Sequence, residues 1–143
     1  CAIASSFMLS ADNAHAVHPH IPQKTDATNC VYMNEGIVVK SHAGQKYTSD
    51  AVSVAVFKDL CKKANVPVQF FANRSDEAGG STLGNIAMAQ VSMNSVDIGL
   101  PQLAMHSTYE TAGIKDTYYM IQVMTEFFNC HISEVNSHSL KVD

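Results

Sequence analysis

"SDAVSVAVFKDLCKKANVPVQFFANR", residues 49–74, holds a helix and the strand that follows it. Val52, Ala55, Val56 and Leu60 recur at three- and four-residue spacing, the apolar stripe of an amphipathic helix. Thr48 or Ser49 can cap its start, and Asp50 suits its positive end. Lys62 and Lys63 fall in the last turn, and Pro67 stops the helix because it has no N–H to donate. "VPVQFFANR" (66–74) is then rich in strand-forming residues. A helix that feeds directly into an apolar strand is the unit from which α/β proteins are built.

The same alternation extends in both directions. Upstream, "IASSFMLSAD" (3–12) reads as a strand covered on both faces, because its apolar run is continuous, and it ends at Asp12. Residues 13–34 carry Pro19 and Pro22 and read as a long loop, and "GIVVK" (36–40) is a second strand. Downstream, a glycine turn leads into a helix over about 81–92, and "SVDIGLP" (95–101) is another buried strand. Residues 102–113 read as a loop. A last helix spans 114–128, with Tyr119, Met120, Val123, Met124 and Phe127 on its apolar side. The pattern predicts an α/β fold: a mainly parallel sheet flanked by helices. Ligands in such folds sit at the carboxyl ends of the strands.

The chain has 143 residues, enough for one domain with a real core. Its 46% hydrophobic and 15% charged content is globular. A net charge of −4 argues against nucleic acid and against an acidic membrane surface as partners. No apolar run approaches the roughly 18 residues of a spanning helix. Cys1, Cys30, Cys61 and Cys130 form no CxxC pair, so reduced thiols and a cytoplasmic setting are expected. The chain starts with Cys inside an apolar run, which suggests a piece cut from something longer.

Several residues able to carry chemistry share one address, at or just past strand ends. Asp12 ends the first strand, and a carboxylate there is costly to bury unless paired, hydrogen-bonded or bound to metal. A helix cap or turn is its plainer role. His15, His18 and His20 follow, but without the glutamate of HExxH they make a weak metal motif on their own. Each can equally give a hydrogen bond to a substrate. Lys40 ends "GIVVK", where a lone lysine is usually solvated. His106 follows the strand at 95–101; paired with Asp12 it becomes a candidate second ligand, of a kind that suits zinc or manganese. "RSDEAGGSTLG" (74–84) lacks the GK[ST] ending of a P-loop, which weighs against a nucleotide site. The N–H groups of Gly80, Ser81 and Thr82 can still face a ligand at a helix start.

Taken in order, "SADNAHAVHP" (10–19), "GIVVK" (36–40), "QKYTSDAV" (45–52), "NRSDEAGGSTLG" (73–84) and "VDIGLPQLAMHSTYE" (96–110) resemble the aspartyl aminopeptidase family of two-zinc exopeptidases. The resemblance implies a zinc-exopeptidase-like (phosphorylase/hydrolase-like) catalytic domain, of which residues 1–143 would be the C-terminal portion. It implies that Asp12 ligates one zinc and His106 the other. It implies that His15 stands beside the substrate and helps stabilise the tetrahedral intermediate. Lys40 and Tyr47 would contact substrate, with Gly80, Ser81 and Thr82 lining the site. The implied activity is removal of N-terminal residues from peptides, acidic ones if Lys40 meets the side chain, in a protein that is a homo-oligomer when complete. His20 stands where the family usually has asparagine. The family's remaining histidine, bridging aspartate and adjacent glutamate pair precede the segments matched here, and no adjacent glutamates occur in this chain. The isolated chain is therefore expected to be inactive, and a non-catalytic remnant with a structural or binding role is the alternative.

Overall fold

The computed structural model describes residues 2–136 and 139–143. Four strands form the main sheet: β1 (Phe7–Ala11), β3 (Ile37–Ser41), β4 (Val68–Ala72) and β5 (Asn94–Gly99). Their order is β1-β5-β3-β4. β1 and β5 are parallel, as are β3 and β4, but the central β3–β5 pair is antiparallel. The sheet is thus mainly parallel, as the alternation predicts, with one reversal at its centre.

Continuous apolar runs bury both faces of this sheet. Ile37 and Val39 of β3 join Val96 and Ile98 of β5 under α1 (Ala51–Lys63) and α3 (Ile114–Asn129). Phe57, Leu60 and Val123 fill that layer. Val38 points the other way and packs with Ala14, Val31 and Phe71. Full burial of a side chain such as Phe57 or Leu60 stabilises by about 1.5–3 kcal/mol each.

A smaller sheet extends the molecule past the strand ends, in the order β2 (Ala14–His15), β6 (Pro101–Leu103), β7 (Thr111–Ala112). Asp12, Ala14 and Ala16 donate their N–H groups to Ile98, Leu100 and Gln102, so β1–β2 and β5–β6 travel side by side from one sheet into the next. Gly99 makes this approach possible: a Cβ there would lie 1.9 Å from the Asp12 carbonyl oxygen. Short strands thus replace the irregular backbone expected at 13–34 and 102–113. Two or three residues carry too little periodicity to show, and it is the pairing partner that makes them strands.

Other boundaries move for local reasons. Ala2–Ser5 form a 3₁₀ turn, so the first strand begins at Phe7 rather than near Ile3. Asp50, not Thr48 or Ser49, caps α1, in a reciprocal capping box with Ser53. The helix expected over 81–92 is α2 (Leu83–Gln90), with Thr82 at its N-cap. The tail forms a hairpin, β8 (Ile132–Asn136) with β9 (Ser139–Val142), that packs against α1. His131 is exposed, as expected for the tail, and His138 lies outside the described residues. No helix among the described residues is long and apolar enough to cross a membrane.

Candidate functional site

A cavity of about 470 Å³ opens where the two sheets meet. Asp12, His15, Lys40, Tyr47, Gly80, Ser81, Thr82 and His106 all line it. Residues separated by more than ninety positions therefore converge on the carboxyl-end rim. His18 lines it too, whereas His20 is exposed. The His20 N–H donates to His18 Nδ1 at 3.2 Å, which ties the two into their loop.

Asp12 follows β1, and its own N–H is paired with Ile98. Its position is therefore fixed by the backbone ladder. His15 sits in β2, opposite Gln102. Burial lowers its pKa below 6.5, and the charges of His106 and Lys40 lower it further. Neutral imidazole is thus the form held at neutral pH, with one nitrogen donating and the other accepting.

Lys40 departs from expectation. It is not a solvated strand end but only 2% exposed. Its Nζ stands 5.2 Å from the Tyr47 ring centre and 3.5 Å from the Asn13 carbonyl oxygen. Burial lowers its pKa, while Asp12 and then Asp97 act in the opposite sense. The expected solvation fails because strands lie on both sides of β3 and Tyr47, in the loop before α1, covers its end. Tyr47 packs edge-on against Phe71 and His42, and its hydroxyl is harder to ionise, through burial first and then Asp97 and Asp12.

His106 lies in a turn where both Ala104 (φ 55°) and His106 (φ 67°) adopt left-handed backbone. Such conformations cost of order 1–3 kcal/mol each and persist only where neighbours hold them. The holding groups here are Glu110, which accepts the His106 N–H at 2.6 Å, and Ala104, whose carbonyl accepts from Ser107 at 3.0 Å. At the glycine loop, Lys46 Nζ donates to the Gly79 carbonyl at 2.6 Å. Thr82 is buried, and its hydroxyl has no hydrogen-bond partner among the described residues.

Reading the sequence alone missed Asp97, Asn13, Gln102 and Glu110. Asp97 is fully buried in mid-strand, and the Asn13 amide donates to Gln102 on the cavity wall. Only Asp97 left a trace in the sequence, as a lone charge within the apolar "SVDIGLP".

Asp12 and His106 offer an oxygen and a nitrogen donor of the kinds zinc accepts. Among the described residues, no three His, Cys, Asp or Glu side chains come close enough together to hold a metal ion. The donors fit zinc as a partial set.

Several known proteins are similar to this chain in sequence and fold. A protein of Clostridium novyi described as a probable M18 family aminopeptidase 2 is 53% identical over 128 residues, 90% of this chain and 30% of that protein. A Clostridium acetobutylicum relative of the same description is 48% identical, with the same coverage. The chain therefore spans about 30% of the length of these curated relatives. A cryo-EM structure of the Ape4 and Nbr1 complex superposes with TM-score 0.86 at 37% identity, covering 88% of this chain and 24% of the other. The family described as aminopeptidase I zinc metalloprotease (M18) matches residues 1–128, and the chain belongs to that family.

Proposed function

We propose that this chain builds one wall of the active site of a zinc aminopeptidase that removes N-terminal residues from peptides. The observation that carries the reading is the convergence of Asp12, His15, Lys40, Tyr47 and His106 on one cavity of family-matched sequence. Asp12 holds one zinc and His106 the other, and a further polypeptide segment supplies the remaining donors and the general base. Zinc held there would supply Lewis-acid chemistry, lowering the pKa of a bound water and polarising the scissile carbonyl.

The chain's own residues bind and orient. Neutral His15 presents an N–H to the carbonyl oxygen as it gains charge. Lys40, anchored against Tyr47, meets the side chain of an acidic N-terminal residue. Gly80, Ser81 and Thr82 close the opposite side, where the unpartnered Thr82 hydroxyl is free to bond to substrate. Family relatives include a dodecameric mApe1 structure from yeast, and the complete protein is proposed to be a homo-oligomer. Unpaired Cys30, Cys61 and Cys130 support a cytoplasmic setting.

The test uses a chimera in which this chain replaces the matching 128 residues of the Clostridium novyi relative. Asp12→Ala and His106→Ala are each expected to lower bound zinc and to abolish release of the N-terminal residue. Wild-type zinc content and turnover in both variants would reject the reading. The incomplete donor set among the described residues favours a second reading for the isolated chain, a structural or binding role without turnover. Peptide hydrolysis by the 143-residue chain with two tightly bound zinc ions would dispose of that one.

A further inference from the structure

α3 is apolar on two opposite sides. Val123 faces the core with Tyr119, Met120, Met124 and Phe127 packed around it. On the other side Ile114, Tyr118, Ile121 and Phe128 are exposed, Ile114 by 87% and Phe128 by 80%. With Thr125 they recur at spacings of four, three, four and three residues. At about 100° per residue these positions fall within a stripe roughly 80° wide. A surface helix is expected to carry charge and amide groups there. A helix apolar on both sides is one that is covered on both sides.

The stripe begins two residues past a strand that pairs with the cavity wall. Gln102 and Leu103 line the cavity and pair with Thr111 and Ala112 of β7, two residues before α3 starts. Tyr109, 85% exposed, lies between His106 and that strand. Whatever completes the metal-donor set at His106 therefore lies next to the head of this stripe.

We propose that the outward face of α3 is the docking face for an amphipathic helix of the polypeptide that supplies the missing zinc donors. This rests on the zinc aminopeptidase reading above. The partner helix presents aliphatic or aromatic residues at i, i+3 or i+4, and i+7, and seats them along Ile114, Tyr118, Ile121 and Phe128. A second copy of this chain is the poorer occupant, because pairing two α3 stripes leaves both donor sets incomplete. The length relation points the same way: about 70% of each curated relative lies outside the part this chain matches.

The experiment compares Ile121→Glu and Phe128→Glu in two settings, the 143-residue chain and the chimera with the Clostridium novyi remainder. In the chain alone both residues face water, so each variant is expected to keep the thermal midpoint within about 2 °C. In the chimera each is expected to lower it by about 4 °C or more, because a charge enters a covered apolar seam. Amide exchange over residues 114–128 is expected to slow at least tenfold in the chimera relative to the chain. Equal tolerance of the variants in both settings, with unchanged exchange, would overturn the proposal. So would sedimentation showing that the chain alone forms a dimer that Ile121→Glu breaks. Zinc analysis separates the two readings: a chimera with the seam intact that binds no zinc refutes the catalytic assignment and leaves the docking face standing.

Discussion

Thr48 donates its backbone N–H to the buried carboxylate of Asp97 at 2.7 Å, and its hydroxyl reaches the same oxygen at 3.1 Å. Ser49 doubles the link: its hydroxyl accepts the Asp97 N–H at 3.0 Å. These bonds fasten the residues just before α1 to the middle of β5, and they place Tyr47 over Lys40. Asp97→Ala leaves the half-buried Thr48 N–H without its acceptor. It is expected to cost about 1–3 kcal/mol in urea unfolding, and Asp97→Asn less, because an amide oxygen can still accept.

His15 has its pKa lowered by burial first, then by His106 and Lys40. The unfolded chain takes up the proton near 6.5 and the folded chain only at lower pH. The stability from neutral His15 is therefore complete above pH 6.5 and is lost as pH falls through the folded value. NMR titration of the zinc-free chain is expected to place its midpoint below 6.5, and His106→Ala to move it upward. A midpoint at or above 6.5 would contradict the partial desolvation and the neighbouring charges of His106 and Lys40.

Lys40 is enclosed by Tyr47 and by the Asn13 carbonyl. Lys40→Met keeps the stem's volume and removes the charge. In the chimera it is expected to cut the preference for N-terminal aspartate over alanine at least tenfold, equivalent to about 1.4 kcal/mol, chiefly through KM. An unchanged preference would take Lys40 out of substrate selection.

Gly99 has no room for a side chain, since a Cβ would meet the Asp12 carbonyl oxygen at 1.9 Å and its carbonyl carbon at 2.9 Å. Both are backbone atoms that cannot swing aside. Gly99→Ala is expected to destabilise by about 2 kcal/mol or more and to weaken zinc binding in the chimera by displacing Asp12. Full stability by thermal melting would show that β1 and β5 can separate there without cost.

Cys61 lies on the core-facing side of α1, and burial pushes its thiol up to about 12 from an ordinary value near 9. The unfolded thiol ionises near pH 9 while the folded one stays protonated. Its contribution to stability is complete below pH 9 and declines between 9 and about 12. An aromatic disulfide reagent at pH 8 is expected to modify Cys30 and Cys130 promptly and Cys61 only on unfolding. Rapid modification of Cys61 in the folded chain would count against this burial.

The amino-acid sequence by itself determined the layered α/β plan and the strand ends where the candidate site residues lie. Hydrophobic spacing and helix-stop residues act locally, so α1, β3 and β4 are legible without a partner. The order of the family's segments pointed to Asp12, His15, Lys40, Tyr47 and His106, and the fold brings them to one cavity. Tertiary structure alone decided the antiparallel β3–β5 pair, the burial of Lys40 and the part played by Asp97. It also decided the second sheet and the two-sided exposure pattern of α3. Each of these depends on which distant backbone or side chain lies alongside. A two-residue strand has no period to detect, and a lysine at a strand end is solvated or buried according to what covers it.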